Sequence, residues 1–190
     1  MIEQMRFLTF IGFALIIVMM PMIFNLPVKL IYNASASAPI GFYRVIPASS
    51  LKRGAFAVVP TPPDFRMMAA KRHYLPFNVP LIKRIIALSD DEVCRHGEAI
   101  LVNQKLVATA LIKDSQGRAL PVWQGCIILT DDQFFALMDR PDSFDGRYFG
   151  PLNTEDIIGI AAPIFTWKAE GSEIIASGKD IQANKQKREN

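Results

Sequence analysis

Apolar and polar positions along this chain fall into two regimes. From Phe7 to Phe24 the sequence reads FLTFIGFALIIVMMPMIF without a charged residue, and the uncharged stretch continues to Val28 before Lys29. An uninterrupted run of this length predicts one helix about as long as a bilayer core is thick. Pro21 lies near its end, where a membrane helix tolerates a kink. Ala34-Ser35-Ala36 imitates the small-residue site at which a signal peptide is cleaved. However, the apolar run is longer than the usual core of about 7–15 residues and ends well before that site, so the segment reads as an uncleaved anchor.

Beyond the anchor, short apolar runs alternate with turn signals, the pattern of β structure. Strands are predicted over Gly41–Ile46, Ala55–Val59, Leu81–Leu88, Ala99–Val102, Leu106–Thr109, Ile127–Thr130, Phe134–Met138 and Ile157–Phe165, with an Asn103-Gln104 turn joining the fourth and fifth. One helix is predicted between Pro63 and Tyr74, where Asp64 can cap a turn that carries Phe65, Met68 and Ala69 at helical spacing. The predicted fold is mainly β: an antiparallel β domain behind one N-terminal transmembrane helix, with a short helical insertion. The predicted organisation is an anchor at 1–28, a β-rich domain at 29–177 and a polar tail at 178–190.

Composition sharpens this picture in two places. Of 190 residues 51% are hydrophobic and 21% charged, which excludes a disordered chain because so much apolar surface can offset the entropy of folding. The net charge of +3 is concentrated in the tail, where Lys179, Lys185, Lys187 and Arg188 stand against Asp180 and Glu189. With the rest nearly neutral and no aromatic residue among the tail's basic ones, nucleic-acid binding loses its support. Charges flanking the apolar run, with Arg6 before it and Lys29 and Arg44 after, give no orientation.

Three segments carry candidate chemistry. In Asn33 to Gly41, small side chains let a substrate backbone approach closely. Ser35 and Ser37, two apart, would point the same way in an extended strand, so one hydroxyl could attack while the other holds an oxyanion. The alternative is a flexible polar linker. In Pro80 to Leu88, two bases interrupt an apolar strand, and alternation places Lys83 with Leu81 and Ile85, and Arg84 with Ile82 and Ile86. A lysine carried inward loses affinity for its proton and becomes a usable general base; the alternative is an edge strand defended by charge. In Asp139 to Pro151, polar groups crowd between apolar strands and can orient a base, although Asp, Ser, Gly and Pro also gather wherever chains turn. Cys94, His96, Cys126 and His73 have no metal-site spacing, so no metal is expected.

Taken in order, these segments resemble the S26 signal peptidase family of serine/lysine peptidases across nearly the whole chain. Ser35-Ala36-Ser37-x-Pro39 after the apolar helix resembles the nucleophile box. Arg53-Gly54 with Val58-Val59 resembles the next strand box, Lys83 to Leu88 with Asp91 the general-base box, and Asp142 to Gly150 the last. Two departures narrow the branch: Ala38 follows the nucleophile where general signal peptidases usually place Met, and Met138-Asp139-Arg140 stands in place of their Gly-Asp-Asn-Arg. The Ser-x-Pro-x-Gly-x-Tyr pattern from Ser37 to Tyr43 is more similar to TraF-type conjugal transfer peptidases. Housekeeping signal-peptide removal remains the alternative activity, and a non-catalytic scaffold of a secretion assembly the alternative class.

The resemblance implies Ser37 as nucleophile, Lys83 as general base, and Ser143, Asp145 and Arg147 as their support. It implies an oxyanion held by the Ser37 backbone N–H and the Ser35 hydroxyl, and no cofactor. It also implies precursor polypeptides as substrates, pilin-like or signal-peptide-bearing, with small side chains entering shallow pockets and conjugal transfer proteins as partners. A single-pass inner-membrane enzyme with a periplasmic catalytic domain follows. Under that topology Cys94 and Cys126 could form a disulfide across strands.

Overall fold

The computed structural model describes residues 2–23 and 30–167. The polar tail expected over 178–190 therefore lies outside the described residues. The first element, α1 (Ile2–Ile23), is a 22-residue helix whose described apolar side chains, among them Phe7, Phe10, Phe13 and Ile16, are exposed. Among the described residues no helix is long and apolar enough to cross a membrane, so the expectation of a spanning helix rests on the sequence.

Eleven strands follow: β1 (Leu30–Asn33), β2 (Ile40–Ile46), β3 (Phe56–Val59), β4 (Leu81–Ala87), β5 (Glu92–His96), β6 (Ala99–Val102), β7 (Lys105–Thr109), β8 (Gly125–Ile128), β9 (Gln133–Leu137), β10 (Leu152–Asn153) and β11 (Gly159–Trp167). Helix α2 (Pro63–Lys71) lies between β3 and β4, and the single turn α3 (Gly146–Phe149) lies between β9 and β10. The strands form a seven-stranded sheet in the order β1-β2-β11-β3-β4-β9-β10 and a four-stranded sheet in the order β7-β6-β5-β8. Every pairing between these strands is antiparallel. The architecture is therefore mainly antiparallel β, as the alternation of short apolar runs predicts.

Local chemistry explains the pieces. In β2, Gly41, Tyr43 and Val45 point inward while Phe42 and Arg44 face out, the period of a half-buried strand. Asn103 and Gln104 take positive φ at the β6–β7 hairpin, the geometry that a two-residue turn needs to match strand twist. Gly41, at φ +144°, lies so close to β11 that a Cβ there would come within 2.1 Å of the Phe165 carbonyl oxygen. Beside it the β2–β11 register shifts between Pro163 and Phe165, a bulge at a residue with no N–H to give the ladder. One core cluster, including Val93, Ile100, Phe135, Leu137 and Tyr148, draws on both sheets and α3.

Several expectations need correction. The predicted helix over 63–74 ends at Lys71, and Asp64 does not cap it: the N-cap is Pro62, which forms no side-chain bond, with Pro63 opening the first turn. Ser35 and Ser37 lie in the turn between β1 and β2, not in a strand. β4 runs between β3 and β9, so its two bases do not defend an edge. β1, β5, β10 and α3 were not predicted. β5 reads EVCRH, in which Arg95 sits among the buried residues and breaks the apolar alternation that would reveal a strand.

Candidate active site

Asn33, the last residue of β1, shapes the turn that carries the serines. It is buried, its Nδ2 donates to the carbonyls of Ser35 (2.9 Å), Ala38 (3.2 Å) and Pro39 (3.0 Å), and its Oδ1 accepts from the Ser35 N–H (3.1 Å). Tyr43 locks the far end by donating its hydroxyl to the Pro39 carbonyl at 2.6 Å. The loop is thus a wound turn, not a flexible linker. Its two hydroxyls lie 2.9 Å apart, and the Ser37 N–H donates to Ser35 Oγ at 3.3 Å. Asn33 escaped sequence reasoning; an Asn ahead of small residues is the signal for such a side-chain-organised turn.

Lys83 sits in the middle of β4, only 3% exposed, with Arg84 turned to the opposite face. Its Nζ donates to Ser143 Oγ at 2.7 Å. Burial lowers its pKa from the usual 10.5 to about 8; Asp145 opposes the fall, Arg147 adds to it and Asp142 opposes it again. Arg84 forms a bidentate pair with Asp139 (3.0 and 2.9 Å) and lies over the Phe56 ring.

Asp145 is fully buried. Its Oδ2 accepts from Arg147 Nη1 at 2.6 Å and from the Met138 N–H at 3.0 Å, and its Oδ1 accepts from the Arg147 N–H at 3.2 Å, capping α3. Arg147 Nη2 donates to the Met138 carbonyl at 2.7 Å. This pair ties the loop that carries Ser143 to the end of β9, and so sets where the Lys83 amine points. Behind it stands Arg95, 2% exposed, whose guanidinium donates to the carbonyls of Gly97 (3.0 Å), Pro121 (3.4 Å) and Arg147. The sequence offered no hint of that role. Arg53 pairs with Asp91, which also accepts from the Leu88 N–H and Asn103 Nδ2, both at 2.8 Å, and so holds the β4–β5 turn.

Ser35, Ser37, Lys83 and Ser143 all line one cleft of about 690 Å³. Elsewhere, Cys94 and Cys126 face each other across β5 and β8 and are joined by a disulfide. His96 lies near that bridge, its Nε2 3.8 Å from Cys126 Sγ, while His73 does not join the group. With both sulfurs bonded to each other, neither is a thiolate that could bind a metal.

Four boxes in register, and a cleft that gathers a serine turn and a buried lysine, are the features of a signal-peptidase-type serine peptidase. Residues 3–167 match the family described as signal peptidase, peptidase S26, and the chain belongs to that family. Membership implies a serine peptidase acting on polypeptides. Among individual relatives, a plasmid transfer protein TraF of Escherichia coli is 35% identical over 147 residues, covering 71% of this chain and 82% of that one. A probable conjugal transfer protein TraF of Sinorhizobium fredii is 29% identical over 147 residues, covering 71% and 76%. A solved signal peptidase I from Enterococcus faecalis is 17% identical with a TM-score of 0.35, covering 59% of this chain and 97% of that one.

Proposed function

We propose that this chain is a membrane-anchored serine endopeptidase with a Ser37/Lys83 dyad, which processes exported precursors of a conjugal transfer apparatus, pilin-like proteins foremost. The observation that carries the reading is a buried lysine amine, held by Ser143 and shifted toward neutrality, in the same cleft as a serine hydroxyl. In the neutral form Lys83 Nζ keeps a lone pair while it donates to Ser143. It takes the Ser37 proton as Ser37 Oγ attacks the scissile carbonyl. The oxyanion replaces Ser35 Oγ as acceptor of the Ser37 N–H, and the Ser35 hydroxyl turns its own proton toward the oxyanion to donate as well. Protonated Lys83 then gives its proton to the leaving amine, and the C–N bond breaks to leave an ester on Ser37. Water releases a cleaved product; an amine of the same substrate instead gives a ring.

The precursor docks as an added strand against β1, an edge of the larger sheet that runs into the serine turn. The apolar run at 7–24 anchors the enzyme in the inner membrane with the β domain outside. A disulfide between Cys94 and Cys126 supports that placement, because such bonds persist in oxidising compartments. Anchoring enzyme and precursor in one membrane raises their effective concentration.

The test is Ser37→Ala in a precursor-processing assay read by product mass, in which hydrolysis and cyclisation differ by one water. Processing should stop at normal protein levels. Continued processing would sink the dyad, and a precursor that never depends on this protein would point to a scaffold.

A further inference from the structure

The cleft continues beyond the serine and the lysine into a part lined by Tyr74, Leu111, Leu120, Phe144 and Tyr148. Phe144 lies between Ser143 and Asp145 in the chain, so the loop that orients Lys83 also sets this wall. Its ring stacks on Tyr148 at 5.6 Å and meets Tyr74 at 5.3 Å. Leu120 and Tyr148 belong to the core cluster beneath, which makes the wall stiff.

Polar groups in this part of the cleft are already engaged with one another. Asp114 accepts from the Tyr74 hydroxyl (2.5 Å), from Arg118 Nε (2.7 Å) and from the N–H groups of Gln116 and Arg118 (both 2.9 Å). The Tyr148 hydroxyl accepts from the Leu111 N–H at 3.1 Å, and Arg140 pairs with Asp142. Beside these groups and Ser115, the surface left for a ligand is largely apolar; its residues include Leu111 and Val79, which are 39% and 44% exposed overall. The whole cleft, serine turn and Lys83 included, measures about 690 Å³, within the range of roughly 300–1,000 Å³ that holds whole small ligands.

We infer that this part of the cleft is a subsite for one large apolar side chain of the precursor, of the leucine, methionine or phenylalanine class, close to the scissile bond. The inference deepens the peptidase reading and rests on it. The expectation of small residues in shallow pockets then applies only beside the Ser35–Ser37 turn. Past Lys83 a bulky residue is required, and it selects which of many small-residue bonds is cut. Lost apolar contact in such a pocket weakens selection by roughly tenfold or more.

The test uses the full chain in detergent micelles and internally quenched peptides that share one Ala–Ala bond and differ at a single flanking position, carrying Ala, Leu, Phe, Asp or Lys. At one position Leu and Phe should raise kcat/KM over Ala by about tenfold or more. Leu111→Asp should bring the Phe/Ala ratio toward one, with Val79→Asp as the second variant should the first misfold. Ile128→Asp, at an exposed residue of β8 that does not line the cleft, should keep the ratio. Cleavage with a flat profile, or with a preference for Asp or Lys, overturns the subsite and leaves the peptidase reading standing. Binding of the labelled Phe and Ala peptides to Ser37→Ala, read by anisotropy, separates the two ideas. Tighter binding of the Phe peptide without cleavage by the wild type supports the subsite and removes the peptidase, whereas equal binding without cleavage removes both.

Discussion

Under the proposed dyad, Lys83 is the residue at which stability and chemistry pull in opposite directions. Below about pH 8 its amine is charged in both the folded and the unfolded chain, and the folded state bears the cost of burying that charge. Between about 8 and the ordinary value of 10.5 the unfolded chain holds a proton that the folded one has released, so stability should rise with pH across that window. Lys83→Met keeps the apolar stem and removes the charge. At pH 7 it should stabilise the fold by up to about 3 kcal/mol, read from urea melts, while abolishing processing. In the wild type the rate should climb through an inflection near pH 8 as the amine loses its proton. A variant that is both active and no more stable would remove Lys83 from the mechanism. Asp145→Asn is the converse case. It strips the counter-charge from Arg147, whose side chain is 4% exposed, and should cost about 3–5 kcal/mol in the same melts, because a buried charge is left unpaired.

Among the elements, β2 and β11 approach closely at Gly41, and that contact stands next to the serine turn. Gly41→Ala would drive a methyl into the Phe165 carbonyl at a positive φ that side chains rarely adopt. Destabilisation of at least about 2 kcal/mol in a denaturant melt is expected, together with reduced processing, since the turn organised by Asn33 and Tyr43 is continuous with β2. Full stability in that variant would show that the two strands can part at no cost. Alternation made β2 legible in advance, because it buries one face, and β4 was legible as a short, mostly apolar run, which fits a central strand buried on both faces at Leu81, Ile82 and Lys83. β5 was illegible for a specific reason: Arg95 lies inward, where a guanidinium is tolerated only because three carbonyls await it. α3 escaped notice because one turn of helix has no period, and Asp145 reads as loop until its cap to Arg147 is seen.

At the scale of the whole molecule, the Cys94–Cys126 bridge joins residues 32 apart in sequence within the sheet that carries Arg95, and through Arg95 it bears on the loop that carries Ser143, Asp145 and Arg147. Replacing both cysteines by alanine should lower unfolding free energy by about 2–4 kcal/mol. Unreduced wild-type protein, denatured, should show no free thiol; two free thiols would remove the bridge and its support for a periplasmic placement. By itself the sequence determined the uncharged run at 7–24 and the strand-rich body, each written in local spacing, where neighbours along the chain decide which face a side chain takes. The four boxes, with Ser37, Lys83, Ser143, Asp145 and Arg147 in them, were legible through resemblance to the signal peptidase family. Only the tertiary structure decided that Ser35 and Ser37 sit in a turn wound around Asn33, that β4 is central, and that a cleft runs past Lys83 to Tyr74 and Tyr148. Those features depend on contacts between residues far apart in sequence, and the closure of such contacts is set by the packing of whole elements and leaves no local pattern.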